Sequence, residues 1–409
     1  MVTALFKFGI RNVLRNKRRS AITLASVIIG VAALLFVQSL IKTLNVDMAD
    51  RVIGIFTSHL QIQAQDSQDP KVPERSFGDL AFIEDTLRRD TNVEAVSKRL
   101  VFRGLLASAV GSKAVVAVGV DPQDEARISP IARYVKRGNY LNGENQIILG
   151  AKIAKDLDLR VGEKAVIMAQ NREGSFEGRP LRVAGIFETG SYTWDASIVY
   201  MPRDNAQALL AWGNEVNVMA VKLKDADKLR VSRDKIDLLL RARRKDIKVL
   251  TWMDVSGEIY KFQEFQNSIL AMVVGVVFMI VTLGVLNTML MSLFERVREF
   301  GLMMALGVRS SRVGLLLLVE SAFLGAFGLF WGALCGLSLI FVFHFIGLPL
   351  PLGEAMSQFL PYEKTLLMRF AWPSHLFAAL LIILVSCIAG VLPALRVGRL
   401  RPSEALRHV

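Results

Sequence analysis

Residues 269–346 read ILAMVVGVVFMIVTLGVLNTMLMSLF (269–294), ERVREFGLMMALGVRSSR (295–312) and VGLLLLVESAFLGAFGLFWGALCGLSLIFVFHFI (313–346). The first segment holds 26 residues without a charge. A helix rises about 1.5 Å per residue and roughly 20 apolar residues cross the hydrocarbon core, so this segment spans a bilayer with room to tilt. The third segment is longer still and carries one acid, Glu320. Between them lies a charged connector, too short for a domain and too patterned for a plain loop. That combination describes a membrane protein shaped to be gripped from one side.

Working outward, two further apolar runs complete a set of four: Ala21–Ile41 and Leu376–Leu395. The chain has 409 residues, 52% of them hydrophobic, and a net charge of +13. The excess is concentrated. Residues 1–19, the connector 295–312 and the tail 396–409 together carry fourteen Lys and Arg against three Glu. Short loops rich in Lys and Arg stay on the cytoplasmic side, whereas long segments translocate largely regardless of charge. The expected topology therefore has both termini and the connector inside, and residues 42–267 outside. The high charge is a topology signal, and no nucleic-acid-binding motif accompanies it. The first apolar run is longer than a signal-peptide core and no small-residue cleavage site follows, so it reads as an uncleaved anchor. Cys335 and Cys387 are the only cysteines, both in apolar runs, and read as small packing residues.

The expected fold class is an α-helical membrane protein with four transmembrane helices. A large α/β extracytoplasmic domain of two subdomains is inserted between helices 1 and 2. Residues 1–20 form a basic amphipathic cytoplasmic segment, with Val2, Phe6, Ile10 and Val13 opposite Lys7, Arg11, Arg15 and Arg18, suited to an anionic membrane surface. The spans are 21–41, 269–294, 313–346 and 376–395; 347–373 is a short outer loop and 396–409 an inner tail. Lys42–Phe56 and Val255–Asn267 read as helical stalks. Within 42–267, strands are expected at Leu60–Ala64, Ala114–Val120, Gln146–Leu149, Ala165–Met168, Leu181–Phe187, Ile198–Met201, Val216–Leu223 and Lys248–Thr251. Helices are expected at Asp79–Arg89, Ala151–Leu159, Arg203–Trp212 and Ala226–Arg244. The order reads as one α/β subdomain interrupted by a β-rich insertion at about 125–213.

No catalytic constellation is visible. His59, His344, His375 and His408 are scattered, and H-E-x-x-H, G-x-S-x-G and G-x-x-x-x-G-K-[ST] are all absent. The chain reads as non-enzymatic, without catalytic or metal-binding residues and without a cofactor of its own. Candidate functional residues lie in the connector. On a helical wheel Val297, Gly301 and Met304 cluster, flanked by Phe300 and Met303, while Arg296, Arg298 and Glu299 leave toward water. Such an edge suits a groove on a partner; an amphipathic turn resting on headgroups is the alternative. Glu320 reads either as a carboxylate reaching the interface or a connector arginine, or as a coupling residue within the membrane. Gly328, Gly332 and Gly336 form a GxxxGxxxG ridge for close helix approach within the chain or with a second copy.

Several of these motifs together resemble the FtsX-like permeases of ABC transporters, which include lipoprotein-releasing (LolC/LolE) and macrolide-efflux (MacB) types. The matching residues are NTMLMS from Asn287, ERVREFGLMMALG from Glu295, Glu320-Ser321, PALR from Pro393, RPSEALR from Arg401 and LRNKRRS from Leu14. ILGAKIAKDL from Ile148, VGE from Val161 and VAGIFETG from Val183 resemble the lipoprotein-releasing subgroup most. The resemblance implies a dimer of permeases, homo- or heteromeric, in the inner membrane. It also implies a separate cytoplasmic ABC ATPase dimer that binds ATP and Mg. The connector would then be a coupling helix, with Glu295, Arg296, Val297, Arg298, Glu299, Phe300, Gly301, Met303, Met304, Leu306 and Gly307 meeting that ATPase. The cargo implied is a lipoprotein or other lipid-anchored periplasmic substrate; MacB-like efflux and FtsX-like signalling to a cell-wall hydrolase are the alternatives.

The topology is testable in a background lacking Cys335 and Cys387. A cysteine at Ser175 should react with an impermeant maleimide in intact spheroplasts, and one at Ser310 should not. Equal labelling at both sites would overturn the assignment.

Overall fold

The structure is a computed structural model that describes residues 17–349 and 365–398, with backbone only for 17–20 and 398. The basic segment 1–16, the loop residues 350–364 and the tail 399–409, with their expected roles, lie outside the described residues. The described chain divides into two compact units. One is Asn45–Gln263; the other comprises 17–44, Glu264–Pro349 and 365–398.

In chain order the principal helices are α1 (Lys17–Arg51), α2 (Leu80–Arg88), α3 (Pro122–Ile128), α4 (Arg203–Leu210), α5 (Leu229–Arg241), α6 (Gly257–Glu295), α7 (Val297–Ala305), α8 (Ser310–Ile346) and α9 (Trp372–Gly398). The principal strands are β1 (Leu60–Ala64), β2 (Val93–Ala107), β3 (Ser112–Val120), β4 (Val135–Gly138), β5 (Gln146–Gly150), β6 (Lys164–Gln170), β7 (Phe176–Phe187), β8 (Ile198–Pro202), β9 (Val218–Leu223) and β10 (Ile247–Thr251).

The helical unit is built from parts of α1 and α6 with α8 and α9. Each of these four helices is long and apolar enough to cross a membrane. At 37–39 residues, the spans containing α1, α6 and α8 reach about 56–59 Å, nearly twice the hydrocarbon thickness. Their interior is apolar, with Val27, Val31, Leu34, Val281, Val285, Leu324, Ile340 and Ile382 buried together. The outside is apolar too: Met272, Met279, Leu283, Phe330, Phe345, Leu380 and Leu395 are exposed. A surface of that kind is stable against lipid and not against water.

Small residues set how closely these helices approach. A Cβ at Gly328 would stand 2.5 Å from Val27 Cγ1, one at Gly332 2.6 Å from Val31 Cβ, and one at Gly336 3.1 Å from the Ala32 backbone. The glycine ridge of α8 thus lies on α1 of the same chain. On another side of α8 the contact with α9 is reciprocal: a Cβ at Gly325 would collide with Ser386 Oγ, and one at Gly390 would collide with Ser321 Oγ. A buried Thr23 Oγ1···Thr288 Oγ1 hydrogen bond of 2.5 Å joins α1 to α6.

The second unit carries a ten-stranded mixed sheet in the order β10-β1-β9-β2-β3-β8-β5-β7-β4, with β6 paired to β2 and β7. Pairs β3–β8 and β5–β7 are parallel. Strands from 125–213 are thus hydrogen-bonded directly to β2 and β3, and the sheet is continuous. Its longest strand, β2, has no counterpart among the strands expected from sequence. Charged residues interrupt its apolar alternation, and each is satisfied: Glu94 by Lys222, Lys98 by Glu84, Arg99 by Glu125 and Arg103 by Asp69.

The Arg99–Glu125 pair is fully buried. Arg99 donates through Nε and Nη2 to the two carboxylate oxygens at 2.9 and 2.7 Å, and Ser97 Oγ adds a third bond at 2.8 Å. Glu125 is presented by α3, whose start is fixed by Pro122 and by Asp121 accepting from the Gln123 and Asp124 amides. Burial works against the Arg99 charge, yet Glu125 outweighs it and holds the guanidinium above its ordinary pKa. Burial, reinforced by Glu125, also raises the Tyr200 phenol.

Both groups reach one unusual turn. After α1 the chain widens into a π-helical turn, Val52–Thr57, closed by Ser58 N–H donating to Ile53 O at 2.8 Å. Tyr200 Oη donates to Ile55 O at 3.0 Å, Arg99 Nη1 to Phe56 O, and Gln61 Nε2 to Thr57 O at 2.9 Å. Side chains of the sheet unit therefore satisfy carbonyls that the last turn of a helix leaves without an intrahelical partner.

The glycine contacts carry a prediction. Gly332→Leu should force α8 from α1 and destabilise the detergent-solubilised protein by about 1–3 kcal/mol. Gly275→Leu, at a position with nothing within 4 Å, should leave the melting temperature unchanged. Equal melting of the two variants would refute the close approach.

Candidate functional site

The connector is built from a break, a short helix and a glycine stop. At Arg296 the backbone leaves helical geometry, with φ −118° and ψ 10°, and α7 begins at Val297. The end of α7 is a Schellman motif: Val308 N–H donates to Met303 O at 3.0 Å and Gly307 N–H to Met304 O at 3.1 Å. Gly307 holds φ +90°, a conformation an L side chain rarely adopts. Its role is to stop the helix and turn the chain toward α8.

The inward face of α7 differs from the expectation. Val297, Phe300 and Gly301 are buried, and Phe300 packs with Leu293, Val313 and Leu317, with Met304 and Val308 at the margin. The apolar edge assigned to a partner is therefore the edge that fastens the connector to its own helices. The physical reason is proximity: the ends of α6 and α8 offer apolar wall to Phe300 at no cost of association. Arg296, expected to face water, is only 8% exposed. Its Nε donates to Glu299 at 2.9 Å, its Nη1 lies 3.5 Å from Glu320 Oε2, and its guanidinium sits 4.9 Å from the centre of the Phe300 ring. Glu320, 4% exposed, thus meets the connector through that arginine.

The outward face is a different set. Arg298, Ala305, Gly307 and Arg309 are exposed, as are Leu302 at 54% and Leu306 at 78%. Met303 is half-buried. Leu302, Ala305 and Arg309 were not among the residues singled out in the sequence. The signal was present, since 298, 302, 305 and 309 recur at helical spacing. However, α7 has two apolar edges, and spacing alone does not say which is turned inward. Among the described residues no group of three or more His, Cys, Asp or Glu could hold a metal ion.

Two family models match this chain: a MacB-like periplasmic core domain over residues 20–237 and an FtsX-like permease C-terminal region over 271–402. The chain belongs to the MacB/FtsX-like family of ABC transporter permeases. The FtsX-like match contains the whole connector. Permeases of this family are not themselves catalytic, and membership implies an ATPase partner and a dimeric assembly. Among curated relatives, the lipoprotein-releasing system transmembrane protein LolC of Neisseria meningitidis serogroup B is 22% identical over 97% of both chains. LolE of Haemophilus influenzae is 22% identical over 92% of this chain and 91% of its own. The macrolide export ATP-binding/permease protein MacB of Campylobacter jejuni is 24% identical over 85% of this chain but only 55% of its own length.

The buried pair of this permease is open to a double-mutant cycle. Arg296→Met should destabilise it by about 3–5 kcal/mol, because it takes the guanidinium from the buried Glu320, whereas Glu320→Leu should cost less, because Arg296 keeps Glu299. The double variant should recover most of that loss. Additive losses in thermal melts would show that the two residues act separately.

Proposed function

We propose that this chain is the permease subunit of an inner-membrane ABC transporter whose ATPase is a separate polypeptide, and that its cargo is a lipoprotein released from that membrane. In this reading both termini and the connector are cytoplasmic. The sheet domain, inserted between the first two spans, is extracytoplasmic. ATP and Mg belong to the partner. The single observation that carries the reading is the end-to-end alignment with LolC and LolE.

The connector then acts as the coupling element. Its inner face is anchored by Phe300 and by Arg296 with Glu299 and Glu320, which makes it a stiff handle on α6 and α8. Its outer face, with Leu302 and Leu306 bordered by Arg298 and Arg309, is the surface offered to the ATPase. Two exposed leucines at i and i+4 are suitable anchors for a groove, and the arginines set orientation. A macrolide-type efflux function is the second reading, supported by the alignment with MacB over 85% of this chain.

Affinity purification in mild detergent separates the two: an ATPase chain with lipid-modified proteins supports release, and a periplasmic adaptor with none supports efflux. For the docking face, Leu306→Asp should leave the melting temperature unchanged and cut ATPase co-purification about tenfold or more, through a carboxylate forced into a desolvated groove. Wild-type recovery of the ATPase with this variant would show that the outer face of α7 is not the docking surface.

A further inference from the structure

The sheet domain has an open cleft of about 590 Å³ over strands β5, β6 and β7, lined by Glu144, Gln146, Lys164, Arg179 and Arg182 among others. Lys164 and Arg182 are directly opposed on β6 and β7, and Gln146 of β5 is the next partner of Arg182. Opposed residues share a face, so one rung of the sheet places an ammonium, a guanidinium and an amide side by side. Two cations directly opposite each other are unfavourable unless an anion lies between them.

No described residue supplies that anion. Among the described residues no carboxylate lies within the 4.0 Å ion-pair distance of Lys164, Arg179 or Arg182. By contrast, the arginines of the cleft beside Trp212 are each paired: Arg75 with Asp66, Arg103 with Asp69 and Arg172 with Glu215. The cations at Lys164 are instead positioned by neutral groups. Arg182 Nη1 donates to Gly162 O at 2.6 Å, and Arg179 Nη2 lies 3.4 Å from Asn145 Oδ1. Each contact occupies one nitrogen and leaves the remaining N–H groups of the fork available. Gln146 Oε1 accepts from the Asn142 and Gly143 amides at 3.1 Å, which leaves its NH2 as a further donor at the rung. Glu144 at the rim is the one acid among the lining residues and makes no ion pair with the three cations.

We propose that this cleft binds a phosphate group, free or as a phosphate ester, through Lys164 and Arg182 with the Gln146 amide beside them. A phosphate presents three or four oxygens in a tetrahedron and accepts from the ammonium, the guanidinium and the Gln146 amide of the rung at once, while a carboxylate has only two in a plane. Occupation relieves the repulsion across the β6–β7 rung.

The test uses the full-length permease in zwitterionic nanodiscs, with thermal melting and thermophoresis as readouts. Inorganic phosphate should raise the melting temperature relative to chloride at matched ionic strength, which removes general screening. Acetate should not reproduce the effect. Lys164→Ala/Arg182→Ala should weaken phosphate binding about tenfold or more, through loss of two charge-assisted contacts. Arg230→Ala/Lys245→Ala, which removes the same charge at exposed positions outside the cleft, should change it less than about twofold. Should the first pair perturb folding, Lys164→Gln, at an exposed position, serves as the second variant and should weaken binding without altering the ligand-free melt. Soluble short-chain phosphatidylglycerol binding at least about tenfold tighter than phosphate identifies a lipid headgroup as the source; equal or weaker binding identifies a soluble phosphate. Absence of any phosphate-specific shift, an equal response to acetate, or equal losses in the two double variants would overturn the site.

Discussion

In hydrocarbon, apolar helices gain nothing by hiding apolar faces from one another, so their association rests on how near their backbones come. Here that distance is set by absent side chains. Gly328, Gly332 and Gly336 open three successive turns of α8 to α1, and serines on α8 and α9 fill notches left by Gly390 and Gly325. The connector inherits its geometry from the same contacts. Phe300 is buried against Leu293 of α6 and Val313 and Leu317 of α8, so its seat exists only when those two helix ends are held in place.

Two buried arginines show how polar groups are used in the two units. Arg99 forks onto Glu125 and also reaches Phe56 O. Arg296 meets Glu299 on its own helix and Glu320 on α8. In each case one planar guanidinium bridges elements distant in sequence, a task that a lysine ammonium, with a single point of charge, performs poorly. Neither pair is a large source of stability compared with apolar residues of the same size; what a buried pair fixes is register.

How far this was legible in the sequence follows the same physics. Four apolar helices were plain, because a run of 26 uncharged residues is long enough to cross a bilayer and too apolar to face water. Strands β1, β5 and β8 were readable from short apolar runs between turn residues. β2 was not, because its charges at Glu94, Lys98, Arg99 and Arg103 have partners up to 128 residues away, and no local window contains them. In the connector, the helix, its glycine stop and the outward Arg298 and Leu306 were visible, but the edge of Val297, Phe300 and Gly301 was expected outward and is buried. Both edges of α7 carry apolar residues, and only the walls formed by Leu293, Val313 and Leu317 decide between them. The cations of the phosphate cleft sat unremarked for a similar reason: their adjacency arises from strand pairing across β5, β6 and β7.

The π-helical turn at Val52–Thr57 has a consequence of a different kind. An α-helix advances about 100° per residue, and a π turn accommodates roughly one residue more per circuit. Within the turn, side chains after Val52 are thus progressively out of phase with those of α1. Ile55 O and Phe56 O, inside the turn, accept from Tyr200 and Arg99. Across these six positions a change of side-chain bulk is a local matter, whereas an insertion or deletion shifts every carbonyl that Tyr200, Arg99 and Gln61 meet before β1.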